Sequence, residues 1–168
     1  MRSSLPATAF TLCALALGAC TVHAQRRDAS MDVPVAADVT LQVGKETYRG
    51  SGPTECKASR DASIYGIPAL LFSVAQTSGK DGMRLSVWQP KNGTPDMMAL
   101  HVALGGKSYV VDTVQAGTKR DTKGSGQAKF ARVRVGGTFT IDAVADDGTK
   151  ITGTVTCSRF TGIVAEGG

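Results

Sequence analysis

The chain has 168 residues, a length that fits one ordinary domain rather than two. With 42% hydrophobic and 20% charged residues it has the composition of a folded protein, which excludes global disorder. A formal charge of +5 favours anionic partners such as phosphate-bearing lipid or polysaccharide, and carries no information about fold.

Residues 1–19 read as a signal peptide. Arg2 supplies a positive start, and Leu5 to Ala19 is an almost uninterrupted run of apolar and small residues. That run is shorter than the roughly 20 apolar residues a spanning helix needs. Two cleavage sites compete at its end. Leu17-Gly18-Ala19-Cys20 has the form of a bacterial lipobox, whose cysteine becomes the lipidated N-terminus. Val22-His23-Ala24 before Gln25 has the small residues of an ordinary signal-peptidase site. The lipobox is the favoured reading because the apolar run ends directly at Cys20, and lipidation at Cys20 is the expectation. Residues 20–38, charged at Arg26, Arg27 and Asp28 and broken by Pro34, read as a flexible tether. The domain proper is expected over residues 39–168.

From Val39 the dominant period is two, the signature of strands with one buried face. Val39, Leu41 and Val43 form the first apolar row. Ala58 to Tyr65 is the one stretch with the composition for a short helix. Apolar rows follow at Leu70, Phe72 and Val74, at Met83, Leu85 and Val87, and at Met98, Leu100, Val102 and Leu104. Asn92-Gly93 and Gly105-Gly106 have the residues of tight turns, the latter leading into a strand over Ser108 to Asp112. Gln115 to Ala128, rich in Gly, Lys, Thr and Ser, reads as a long mobile loop. Ala131, Val133 and Val135 then form an apolar row opposite Phe130, Arg132 and Arg134, with Gly136-Gly137 as the next turn. Phe139, Ile141 and Ala143, a turn at Asp147-Gly148, and a last row of Ile151, Val155 and Cys157 complete the chain. Eight or nine short strands joined by glycine-rich turns predict an all-β domain, an antiparallel sandwich or a small barrel.

Four cysteines are present. Cys13 leaves with the signal and Cys20 is the lipidation candidate. Cys56 and Cys157 remain as an even pair in an exported chain, and a disulfide between them is expected. Two isolated cysteines with no histidine nearby do not complete a tetrahedral metal shell.

Histidine restricts the chemistry further. His101 is the only one within the domain, and alternation turns it away from the apolar row. A Ser-His-Asp triad and most zinc sites would have to use it. Gly106-Lys107-Ser108 has the ending of a phosphate-binding loop, but the glycine required five places earlier is His101. A carboxylate pair for glycoside hydrolysis needs only proximity in space, which sequence does not specify, and few aromatics are at hand to stack sugars. No cofactor, no metal and no small-molecule substrate is indicated, and nucleic acid is not the favoured partner. The reading is of a binding domain rather than an enzyme.

One stretch stands out as a candidate surface. Lys119, Arg120 and Lys123 fall in the expected loop, Lys129 leads into the next strand, and Phe130, Arg132 and Arg134 share a face of it. Six cations and one aromatic on a loop and a strand face suit a polyanion, such as an anionic envelope polymer, with binding that weakens linearly in log salt. Trp88 is a second candidate, turned away from Leu85 and Val87 and expected to cover the other face of a two-sided sheet.

The order of features resembles the mycobacterial nineteen-kilodalton lipoprotein antigen family. The pieces that carry the resemblance are the lipobox at Cys20, Val43-Gly44-Lys45, Cys56, Gly124-Ser125-Gly126-Gln127-Ala128, and the closing strand Ile151-Thr152-Gly153-Thr154-Val155-Thr156-Cys157-Ser158. Arg159 to Gly168 and the basic loop depart from the pattern. The resemblance implies a membrane-attached antigen or adhesion-type protein and brings no catalytic residues. The expectation is therefore an exported lipoprotein, anchored to the cell membrane or outer membrane through Cys20, or a soluble periplasmic or secreted protein if cleavage falls after Ala24.

Overall fold

The computed structural model describes residues 35–115 and 122–162. Eleven strands follow one another: β1 (Ala36–Val43), β2 (Glu46–Pro53), β3 (Glu55–Ile64), β4 (Ile67–Ser78), β5 (Asp81–Pro90), β6 (Met97–Leu104), β7 (Lys107–Asp112), β8 (Ser125–Val133), β9 (Gly136–Val144), β10 (Lys150–Cys157) and β11 (Thr161–Gly162). They form two sheets packed as a sandwich, one ordered β2-β1-β10-β9-β8 and the other β11-β3-β4-β5-β6-β7. Every pairing is antiparallel except that of β11 with β3.

The alternation read from the sequence is what builds the two inner faces. Val39, Leu41 and Val43 of β1, Ile141 of β9, and Ile151 and Val155 of β10 lie buried against Val74, Leu85, Val87, Leu100 and Val102 of the other sheet's strands. Each such side chain contributes roughly 1.5–3 kcal/mol by leaving water. A one-residue slip would turn the whole row outward, so burial fixes the register. A smaller second core lies on the outer face of the six-stranded sheet, where Ile64, Ala69, Met97 and Val114 are buried and Trp88 packs against them. This is the two-sided sheet expected around Trp88.

Two-residue turns join most neighbours. Gly105-Gly106 links β6 and β7 with φ of +59° and +77°, the left-handed values such hairpins require. Asn92-Gly93 and Asp147-Gly148 turn the chain as expected. The disulfide joins Cys56 of β3 to Cys157 of β10 and so staples one sheet to the other. It closes a loop of 101 residues, which in the chain-entropy account constrains the unfolded state by about 4–5 kcal/mol.

Several expectations are corrected. Ala58 to Tyr65 is not helical. It is β3 running into the Tyr65-Gly66 hairpin turn, and a register shift between Ser59 and Ala62 is what broke its alternation. Strand β1 begins at Ala36 rather than after residue 38, with Ala37 already buried. The expected loop from Gln115 to Ala128 is shorter, because β8 starts at Ser125 and Lys123 already pairs with Asp112 through two backbone hydrogen bonds. The phase of β8 is inverted. Ala128 and Phe130 point inward, while Val133 and Val135 are 59% and 69% exposed. Accordingly Gly136-Gly137 is not the turn. Arg134 and Val135 make it, with Arg134 at φ +52°, and the glycines open β9. Gly137 is needed there because a β-carbon on it would strike the ring of Phe130.

Candidate functional site

The inverted phase of β8 reorganises the basic stretch. Successive side chains of a strand point to opposite faces. Lys129 therefore stands on the outer face of the five-stranded sheet, paired with Thr140, whereas Arg132 lies on the side of the buried Ala128 and Phe130. Lys123 sits at the bridge to Asp112, away from both. Lys119 and Arg120 lie outside the described residues. Phe130 is not a surface aromatic. It packs against the core in a cluster with Phe72, Phe139 and Phe160, all six ring pairs having centroids 4.4 to 6.2 Å apart. The described members of the patch expected from residues 119–134 are thus divided by the sheet.

Two of its members enter a different grouping. Arg132 and Arg134 meet Arg60 of β3 around an open cleft of about 480 Å³ between the β8–β9 hairpin and strands β3, β4 and β11. Phe72 and Phe160 supply apolar wall, and Ser59 and Thr161 supply hydroxyls. Each arginine is placed by a feature of its element. Arg60 stands at the register shift of β3. Arg132 follows Phe130 by two residues, and its guanidinium carbon lies 5.9 Å from that ring's centroid, a cation–π arrangement. Arg134 occupies the left-handed position of the hairpin turn.

The cleft's floor is tied down from the opposite side. The Phe160 backbone N–H donates to the Val135 carbonyl at 3.2 Å, and the Thr161 hydroxyl donates to the Cys56 carbonyl at 3.2 Å. The disulfide is three residues from Phe160 and holds this segment to β3.

Among the described residues no carboxylate lines the cleft, and none lies within salt-bridge distance of its three guanidiniums. All three are exposed, so their guanidiniums are open to solvent and to a ligand rather than buried. A larger hollow of about 760 Å³ elsewhere contains one cation, Arg84, and one anion, Glu55, and has no such bias. The cleft can therefore offer planar forks of donors to phosphate, sulfate or carboxylate oxygens, with an apolar wall for whatever carries them.

His101 is exposed, and its Nε2 lies 2.7 Å from the Ser108 hydroxyl, so its polar contact is local. Among the described residues no three His, Cys, Asp or Glu side chains are grouped to hold a metal ion. Cys20 lies outside the described residues. Arg60 is the site residue that sequence reading passed over. It is far from Arg132 along the chain and lies within Ala58 to Tyr65, whose composition suits a helix.

Compared with protein-family models, with curated proteins and with solved structures, the chain has no match in any of the three.

Proposed function

We propose that the chain is an exported envelope lipoprotein, held at a membrane through Cys20, whose sandwich is a binding domain for an anionic ligand. The observation that carries the binding reading is the cleft in which Arg60, Arg132 and Arg134 converge, with no carboxylate among the described residues of its walls. The disulfide supports export, since such bonds persist in oxidising compartments. The lipobox at Cys20 and the resemblance to the mycobacterial antigens support the anchor. An anionic envelope polymer fits the cleft's chemistry, with the phosphate, sulfate or carboxylate groups on the guanidiniums.

The test is titration of the mature protein with dextran sulfate at rising salt. Binding falls linearly in log salt, as release of condensed counterions requires. Substituting Arg60→Ser, Arg132→Ser or Arg134→Asn weakens binding and flattens the salt slope by about one contact each. Asparagine is used at 134 because it tolerates positive φ. Absent or salt-independent binding would remove the reading.

A further inference from the structure

The register places the arginine cleft at one particular end of the sandwich. One row of paired residues runs straight across the five-stranded sheet: Gly52, Ala37, Cys157, Gly137 and Arg132. Ala37 is the second residue of β1, so the polypeptide leading from Cys20 joins the sandwich at the end where the cleft opens. Three strand spacings of about 4.8 Å separate Ala37 from Arg132, so strand entry and cleft are roughly 15 Å apart. Further bonds keep this end together. The Ser158 N–H donates to the Ala36 carbonyl at 2.9 Å, and the Phe160 N–H reaches Val135.

The same end carries the two most exposed large apolar side chains among the described residues, Val133 and Val135, at 59% and 69%. They flank Arg134 at the tip of the β8–β9 hairpin, and Arg132 precedes them. Exposed valines on a projecting tip cost solubility and do nothing for the core. Arg132 and Val133 face opposite sides of β8, and it is at the turn around Arg134 that charge and exposed apolar side chains sit together, the chemistry of a surface that meets phosphates and the acyl boundary.

We infer that the tip Arg132–Val135, with Arg60 beside it, docks onto the anionic lipid surface in which Cys20 is anchored. The arginines meet headgroup phosphates, and Val133 and Val135 enter the boundary beneath them. This inference rests on the lipoprotein reading above for its membrane and names the partner of the cleft described there. The chain length between Cys20 and Val35 keeps the tip at high effective concentration near its own membrane, so weak docking suffices. Docking also fixes which end of the domain faces the lipid.

The experiment uses the full mature chain carrying Cys20→Ala, exported behind an unrelated cleavable leader so that it forms the disulfide but bears no acyl chain. Co-sedimentation is measured with vesicles of phosphatidylglycerol and phosphatidylethanolamine, and with vesicles of phosphatidylcholine alone. Dextran sulfate is titrated in parallel as a soluble polyanion. The expected result is binding to the anionic vesicles only. It weakens about five-fold for each of Arg132→Ser and Arg134→Asn, as about 1 kcal/mol per surface-bound cation implies. Val133→Ser, at a side chain outside the cleft wall, weakens vesicle binding by a similar factor and leaves dextran sulfate binding unchanged. Dextran sulfate binding with no vesicle binding would overturn the docking and leave the anionic-ligand reading intact. Vesicle binding indifferent to the arginine substitutions would overturn the docking as well. So would Val133→Ser weakening both probes equally. Binding of neither probe would overturn both readings.

Discussion

The ring of Phe130 lies over Gly137, in the space a side chain on the neighbouring strand would fill. A β-carbon built on Gly137 would come within 2.6 Å of the ring's Cζ and within 2.9 Å of the Ala131 carbonyl oxygen. The ring is itself packed among Phe72, Phe139 and Phe160, so it has little room to withdraw. Gly137→Ala is therefore expected to destabilise the fold by about 1–3 kcal/mol, the usual cost of overfilling a packed site. A urea titration of the oxidised protein measures it, and an unchanged midpoint would show that the ring moves freely.

The disulfide predicts a coupled loss. Replacing Cys56 and Cys157 by serine, or reducing them, is expected to lower stability by about 2–5 kcal/mol. The effect should reach the cleft, because Phe160 and Thr161 follow Cys157 closely and Thr161 is held by the Cys56 carbonyl. Dextran sulfate affinity measured under native conditions, with and without reductant, checks this. Equal affinity in both states would show that the segment keeps its place without the bond.

Tyr48 gives a prediction in pH. Its side chain is buried and its hydroxyl has no hydrogen-bond partner among the described residues. Burial, and after it the nearby Asp81 carboxylate, hold the phenol above its ordinary value of 10.0. The unfolded chain therefore loses that proton first. Stability from the neutral phenol is complete below pH 10 and drains away as pH rises from there through the raised folded-state value. Tyr48→Phe should remove this alkaline loss. At neutral pH it should be neutral or stabilising by about 1 kcal/mol, since an unpaired buried hydroxyl is removed without loss of shape. Thermal unfolding of both proteins at neutral and alkaline pH makes the comparison.

For the anchor, the intact mass of membrane-extracted protein is decisive. It should correspond to a chain starting at Cys20 with two or three acyl chains added, each contributing roughly 0.8 kcal/mol of membrane affinity per buried methylene. A mature chain starting at Gln25 would remove the lipoprotein reading.

How far the sequence discloses this molecule depends on how strongly burial acts on each strand. β1 is packed on its inner face with unbroken alternation, β6 keeps it from Met98 onward and β10 departs from it only at Gly153, so their faces and Cys157's inward position are legible directly. β2 is an edge strand in which Tyr48 is the only buried residue, and it leaves no row to read. β8 is also an edge strand, and there two patterns of opposite phase overlap. Ala131, Val133 and Val135 look like the apolar row, but the larger Phe130 takes the interior once Gly137 makes space for it. With Phe130 packed against the core, the basic stretch has no surface aromatic. The cleft is less legible still. Arg60 reaches Arg132 and Arg134 only through the stacking of two sheets, and the register shift that presents it also disguised its strand.

The bond between the Ser158 N–H and the Ala36 carbonyl, at 2.9 Å, means that the chain enters the sandwich beside the place where it leaves its last long strand. At the opposite end the turns at Gly44-Lys45, Gly105-Gly106 and Asp147-Gly148 gather, with Gly44 close to Thr149 and Gly105 close to Glu46. A domain with neighbouring ends can be spliced as a cassette into a loop of another protein, or re-cut so that its termini move elsewhere, without threading chain through the core. The Asp147-Gly148 turn is the natural place for such a cut. New termini there would emerge at the end opposite the arginines, and would leave the covalent staple and the aromatic cluster untouched.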